Sequence, residues 1–313
     1  MPIGAVSGEA VSATAGDRSD PDLSRHADTR REVEPNIADY RRLVHPIEHL
    51  RYVARAQGAD PASLAEETAH ALGSLRVDPS GLVVACRRIV ERHPFVGPLW
   101  WLCANVTTSA EPFEAVWELA DEIRNDRTGA ELGAALPDDA TVVTIGAPDV
   151  IGEGLIRRGD VRVLAMDVGH TATSFVRRLE RYDVDYEPVD SGAAGVACRG
   201  ADVVLIEAMA ADSQRAIVPM GSSTIAACAR AAGTPVWLVA GIGRRLPSGF
   251  VDAMVQRIGA LTAERDPWEL EVEVLPTSMV TDVVGRHGRV PMGPPAIVAE
   301  CPMAHELLRH SAI

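Results

Sequence analysis

The chain has 313 residues, 47% of them hydrophobic, enough for one large or two ordinary domains around a sizeable core. Its net charge of −14 argues against nucleic acid or an anionic membrane surface as a partner. All 30 basic residues are arginine, which excludes a Schiff-base lysine, a pyridoxal phosphate attachment and a P-loop; any anion must be held by arginine, backbone amides or hydroxyls.

No apolar run approaches the ~20 residues of a membrane span. Residues 1–20 lack the apolar core of a signal peptide. The five cysteines (Cys86, Cys103, Cys198, Cys228 and Cys301) are widely spaced, and no pair has metal-ligand or CxxC spacing. Free thiols in a reducing cytoplasm follow, with no metal site and no cofactor implied.

Residues 1 to about 33 are rich in Gly, Ala, Ser, Asp and Arg and read as a mobile tail. Helical patterns dominate from 34 to 130. Residues 36–57 carry Ile37, Tyr40, Leu43, Ile47, Leu50 and Val53 at helical spacing. Pro61, capped by Asp60, opens a second helix, Asp78-Pro79 a third, and residues 94–106 a fourth. Glu111-Pro112 opens a fifth, through Val116, Leu119 and Ile123.

From Pro137-Asp138-Asp139 the pattern changes to strand, turn and helix. Thr141–Ile145 is a β-branched run that breaks at Gly146-Ala147-Pro148-Asp149 before a helical stretch over 150–158. Residues 161–166, 184–189 and 203–206 are the next short runs, ending at Asp167, at Asp190-Ser191-Gly192 and at Glu207. Residues 236–240 are the fifth. Short apolar runs without clean alternation suit strands buried on both faces. Strands alternating with helices imply right-handed crossovers. The expectation is an α/β fold, with a helical N-terminal domain over 34–130 and a Rossmann-like, mainly parallel, doubly wound sheet domain over 131–313. Beyond Ala240 the pattern weakens: 241–250 reads as a loop, 271–275 as an edge strand, 276–284 as a helix and 302–309 as a terminal helix.

In such sheets ligands bind beyond the carboxyl ends of the strands. Asp167 and His170 at one strand end read as an acid/base pair, against the plainer reading of a solvated histidine. Glu207, Asp167 and Asp190 form a carboxylate cluster if they share a cleft, raising one pKa. The plainer reading is strand-end carboxylates meeting helix N-termini. Asp167, His170, Asp190 and Glu207 are therefore the catalytic candidates. Gly146 and Asp149 offer a loop for an anion or for sugar hydroxyls, unless Asp149 is simply an acid near a helix start; Ser191, at the third strand end, and Arg215, in the loop after Glu207, are further binding candidates. Gly221-Ser222-Ser223 opens a helix whose amides and hydroxyls suit a phosphate, or whose serines simply cap it.

The order of these pieces resembles the superfamily of translation initiation factor 2B regulatory subunits and related sugar-phosphate isomerases, over about residues 36–290. His93-Pro94-Phe95-Val96-Gly97-Pro98-Leu99 is similar to the family's His-Pro-Thr-Met-Ala-Pro-Leu segment. Val142-Val143-Thr144-Ile145 is similar to its first sheet strand, and Asp190-Ser191-Gly192-Ala193 to its Asp-Ser-Ala turn. Met220-Gly221-Ser222-Ser223, an alanine-rich helix and Gly233-Thr234-Pro235-Val236-Trp237 resemble Lys-Ile-Gly-Thr, helix, Gly-Val-Pro-Phe-Tyr. Pro276-Thr277-Ser278-Met279-Val280-Thr281 resembles its Pro-Pro-Glu-Leu-Ile-Thr helix.

The departures fall on chemistry. The isomerases' catalytic cysteine is replaced by Gly146, and their catalytic aspartate by Ala216. The resemblance thus implies a divergent protein that binds a phosphorylated sugar, nucleotide or related metabolite, with any isomerase-type chemistry carried by other acid/base residues. It also implies a homo-oligomer, a dimer at least. The alternative is a non-catalytic regulatory or interaction subunit of an oligomeric complex. A third option is an isomerase in which Cys198 reaches the cleft.

Overall fold

The computed structural model describes residues 61–73, 79–167, 172–293 and 296–309, all within the unit Val44–Ile313. The helix expected over 36–57, the tail and Asp60 lie outside the described residues.

Proline and apolar spacing fix the first helices. They are α1 (Pro61–Gly73), α2 (Pro79–Arg92), α3 (Gly97–Thr108) and α4 (Pro112–Arg124). Pro98 and Pro112 sit in the first turns of α3 and α4, where a missing N–H costs nothing. The fourth expected helix therefore starts three residues late, at Gly97. α3 is apolar all round and buries Leu99, Trp100, Trp101, Leu102 and Cys103. A fully buried aromatic or leucine side chain contributes roughly 1.5–3 kcal/mol.

The short helix α5 (Thr128–Ala135) leads to the sheet. β1 (Thr141–Ile145), β2 (Arg162–Asp167), β3 (Asp185–Asp190) and β4 (Val203–Glu207) alternate with α6 (Asp149–Arg158), α7 (Thr173–Arg181) and α8 (Ala194–Gly200). After β4 come two short strands, β5 (Ala210–Ala211) and β6 (Arg215–Pro219), and then α9 (Ser222–Ala232) and β7 (Val236–Val239). α10 (Ser248–Glu264), β8 (Val272–Pro276), β9 (Asp282–Gly285) and β10 (Gly288–Pro291) follow.

The main sheet has the order β10-β9-β7-β4-β1-β2-β3, parallel except for the β9–β10 hairpin. The chain runs outward from β1 to β3, then returns to β4 on the other side of β1. The junction of β1 and β4 is therefore the topological switch point. β1 and β4 are buried on both faces, and their residues alternate between two cores. Val142, Leu205 and Val239 pack under α5, α6 and α7. Val143, Ile206 and Leu238 pack under α8 and α9. α5 and α6 cross at glycine: a side chain on Gly154 would lie 2.7 Å from the Gly129 carbonyl oxygen. Their backbones meet because neither surface carries a Cβ there.

A second, antiparallel sheet, β5-β6-β8, went unseen in the sequence. It separates the helical core from the α8–α9 core. Ile217 faces α3 and α10, whereas Ala216 and Val218 face α9. The strand expected over 271–275 is its edge strand, β8. Three other expectations fail. Residues 276–284 are not a helix but a 3₁₀ turn, Thr277–Met279, and then β9. Thr281, Val283 and Val284 are β-branched and fit a pleated surface better than a helix. The loop expected over 241–250 gives way at Ser248 to the 17-residue α10, which buries Phe250, Val251 and Met254. The terminal helix shrinks to a 3₁₀ turn, His305–Leu308.

Candidate functional site

The strand ends at the switch point carry the expected carboxylates in one row. Asp167 is the register partner of Asp190. Continuing the β1 register by one residue on the β2 side and by two on the β4 side sets Gly146 between Asp167 on β2 and Glu207 on β4. All four positions point to the α6–α7 face, with about 4.8 Å from strand to strand. Gly146, at φ +73°, turns the chain sharply and leaves no side chain between the two acids.

Each acid of this row meets a helix or turn start. Glu207 is buried, and its two oxygens accept from the N–H groups of Asp149 (3.3 Å) and Ile151 (3.0 Å), which caps α6. The same carboxylate pairs with Arg244 at 2.8 Å, and Arg244 also donates to the Ala208 carbonyl at 2.6 Å. Asp167 accepts from Ala172 N–H at the start of α7 (3.3 Å), and Asp190 from Gly192 N–H (2.8 Å). Thus the structure brings the cluster together and then gives its members the plainer role, charge against helix dipole. Glu207 is thus held by three polar contacts in a buried position. His170 lies outside the described residues.

The other candidates scatter. Asp149 is the first residue of α6, and its carbonyl accepts from Arg178 at 3.3 Å. Ser191 is exposed in a 3₁₀ turn. Arg215 lies at the start of β6, bridging Asp212 (2.8 Å) and Asp252 (2.7 Å); these two carboxylates, Asp252 foremost, hold its pKa up. At α9 neither serine caps the helix. Gly221 is the N-cap residue, Ser222 donates its hydroxyl back to the Pro219 carbonyl (2.6 Å), and the Ser223 N–H donates to Glu273 (2.9 Å). A carboxylate from β8 thus fills the place expected for phosphate. Cys198 is buried on the opposite, α8–α9 face of the sheet, where burial pushes its thiol up to about 11. It does not reach the row, because helix α8 hangs behind the sheet.

Beside the row lies a cavity of about 740 Å³. Its walls come from α1, the α3 start, the α4 end, α5, α6, α7 and the loop after β7. Five arginines line it: Arg124, Arg127, Arg157, Arg178 and Arg244. Arg124 pairs with Glu66 at 3.0 Å and with Asp121, Arg127 with Glu131 at 3.2 Å, and Arg157 with Glu153 at 3.0 Å. These three are half or more exposed, and such surface pairs contribute only about 0–1 kcal/mol. An anionic ligand can therefore redirect them cheaply. Arg178 makes no ion pair with a described carboxylate and donates to a carbonyl instead. Asp126 anchors the wall, accepting from Thr128 N–H and Oγ1 and from Ile242 N–H. Arg178, Arg157, Arg127 and Asp126 were not singled out from the sequence. They lie on three elements, α7, α6 and the α4–α5 connection, and no motif links them. Arg244 carried a signal, an arginine pair in the loop that follows a buried strand.

No family model matches this chain, and no curated protein sequence matches it. Solved structures match its fold. The translation initiation factor eIF-2B of Pyrococcus horikoshii OT3 superposes with a TM-score of 0.67 at 15% identity, over 81% of this chain and 98% of that one. A chain of the tetrameric eIF2B-beta2-delta2 complex from C. thermophilum gives 0.63 at 12% identity, over 82% and 96%. The 5-methylthioribose 1-phosphate isomerase of Pyrococcus horikoshii OT3 gives 0.58 at 14% identity, over 80% and 85%. The class is thereby fixed as an α/β protein with the Rossmann-like fold common to these structures. The resemblance read from the motifs holds at the level of fold.

Proposed function

We propose that the protein binds a small phosphorylated metabolite, a sugar phosphate or a nucleotide, in the arginine-lined cavity at the C-terminal edge of the sheet. The single observation behind this reading is the concentration of five arginines around one cavity in a chain of net charge −14. Arginine is the residue that holds phosphate bidentately, and this chain has no lysine to share the task. The reading is of binding without the isomerase pair, since Gly146 and Ala216 stand where the resemblance places the cysteine and the aspartate. Residual acid/base chemistry would fall to Asp167, His170 and Asp190. The protein is read as cytoplasmic and as a homo-oligomer, with helical (34–130) and α/β (131–313) domains meeting at the cavity.

Thermal shift against sugar phosphates, nucleotides and free sugars tests it. A ligand at ~100 times its dissociation constant stabilises by about 2.7 kcal/mol. The stabilisation should fall in Arg178→Ala and persist in Arg215→Ala. A blank across the panel from the folded protein sinks the reading.

The second reading is a non-catalytic subunit of a larger assembly. It is favoured by the carboxylates that already fill the starts of α6, α7 and α9. One of the structures with this fold is a tetrameric complex. Gel filtration and a pull-down that returns a stable partner would favour it.

A further inference from the structure

The loop between β7 and α10 carries two adjacent arginines with different partners. Arg244 turns to Glu207 and the α6 start. Arg245 turns to Glu300, 2.5 Å away in the C-terminal segment. Glu300 does more than pair. Its second oxygen accepts from Gly243 N–H at 3.2 Å, its own N–H donates to the Arg245 carbonyl at 2.9 Å, and its carbonyl accepts from Trp101 Nε1 at 3.1 Å. Both side chains are nearly buried, 15% and 12% exposed. The loop is thus clamped from two sides: Asp126 holds Ile242 N–H from the cavity wall, and Glu300 holds Gly243 and Arg245 from behind.

We propose that Glu300 is a positioning residue of the cavity, through which the C-terminal segment 296–309 sets the loop that presents Ile242 and Arg244. Glu300 lines no part of the cavity and acts through Gly243 and Arg245. The loop has no regular secondary structure of its own at 241–244; a turn bond from Arg244 N–H to the Gly241 carbonyl and a bond from Ala211 N–H to the Arg244 carbonyl hold part of its backbone, and these side-chain clamps hold the rest. Without Glu300, Arg245 would be left buried with an uncompensated charge and would swing toward solvent. The backbone shift passes to Arg244, and from Arg244 to Glu207 and the α6 amides it holds. A partner that lifted the C-terminal segment would loosen the cavity by the same route. The functional consequence rests on the ligand-binding reading above; the mechanical coupling does not.

Hydrogen exchange of the full chain separates the two. In Glu300→Ala, amides 242–245 and those of Asp149 and Ile151 should exchange roughly tenfold faster or more, as local opening grows easier. Glu300→Gln keeps an oxygen for Gly243 N–H and should show a smaller rise; it decides the matter should the alanine variant fail to fold. Arg87→Ala loosens the segment further along, at the Glu306 carbonyl. It should raise exchange near 303–309 alone. Wild-type exchange at 242–245 and 149–151 in both Glu300 variants overturns the proposal. So does a pattern that matches Arg87→Ala. Ribose 5-phosphate and inorganic phosphate then serve as probes in thermal shift. Weaker binding in Glu300→Ala, with wild-type binding intact, supports coupling and ligand reading together. Coupled exchange without binding by the wild type upholds the positioning role and removes the ligand reading.

Discussion

Glu207 and Arg244 form an ion pair of 2.8 Å with only 7% and 6% of their side chains exposed. Glu207 ends β4 and Arg244 lies in the loop that follows the adjacent parallel strand β7; together they close the crevice at the switch point from within. Both members also hold backbone groups, Glu207 the Asp149 and Ile151 N–H and Arg244 the Ala208 carbonyl, the kind of added hydrogen bonding that lets a buried charge pair be tolerated.

Glu207→Ala should therefore cost about 3–5 kcal/mol, because it strands the Arg244 charge and uncaps α6. Arg244→Ala should cost a similar amount. The double variant should lose less than the sum, since the second removal leaves no orphaned charge. Urea denaturation of the four proteins measures the cycle. Added acetate should restore part of the loss in Glu207→Ala alone, by taking the carboxylate's place at the helix start. Strict additivity would show that the two groups do not depend on one another.

The α9 start makes a contrasting case. Glu273 accepts from the Ser223 N–H at 2.9 Å from a half-buried position. Glu273→Gln should cost ~1 kcal/mol or less, as a cap and dipole contribution without a buried partner charge. Ser222→Ala should cost about the same through its lost bond to the Pro219 carbonyl. A loss at Glu273 as large as that at Glu207 would contradict this account of both.

Two glycine-to-alanine changes should have opposite signs. On Gly154 a Cβ would press on the Gly129 carbonyl and the Leu132 side chain, so Gly154→Ala should destabilise by roughly 1–3 kcal/mol through overpacking. At Gly259, inside α10, a Cβ meets open space. Gly259→Ala should stabilise by about 0.5–1 kcal/mol. Thermal denaturation of the two variants decides it.

Burial lifts the Cys198 thiol from an ordinary value of 9.0 to about 11, with a smaller push from Cys228. The folded protein keeps this proton where the unfolded chain has lost it. Stability is therefore complete below pH 9 and declines as pH rises from about 9 to about 11, by up to ~3 kcal/mol. Cys301, pushed up to about 12 by burial and by Glu300, prolongs the decline. In Cys198→Ala the slope between pH 9 and 11 should flatten. An unchanged slope would assign the alkaline loss to other groups.

How much of this was legible in the sequence follows from where the information sits. β1, β2, β4 and β7 were readable because strands buried on both faces are short apolar runs bounded by turn residues. β5 and β6 were not: Ala210, Ala211, Ala216 and Ile217 lie between two cores and alternate between apolar and apolar. α10 was lost because Gly249 and Gly259 thin its pattern. The row of Glu207, Asp167 and Asp190 was expected from topology, and its capping role was the plainer of the two readings. Arg244 as the partner of Glu207 was not, because 37 residues and a tertiary clamp separate them. The cavity arginines show the same limit, since α4, α5, α6 and α7 meet there through packing alone.

Gly146 has a consequence for any nucleophile placed at the end of β1. Its φ of +73° is left-handed backbone, which an L side chain enters at a cost of roughly 1–2 kcal/mol. Gly146→Cys would meet that cost and then crowd its thiol between two carboxylates, each already engaged at a helix start. Placing a nucleophile here would require reshaping the turn and freeing a neighbouring acid, several changes at once with each alone unfavourable. The backbone thus acts as a gate: with this turn in place, a single substitution does not install a working nucleophile.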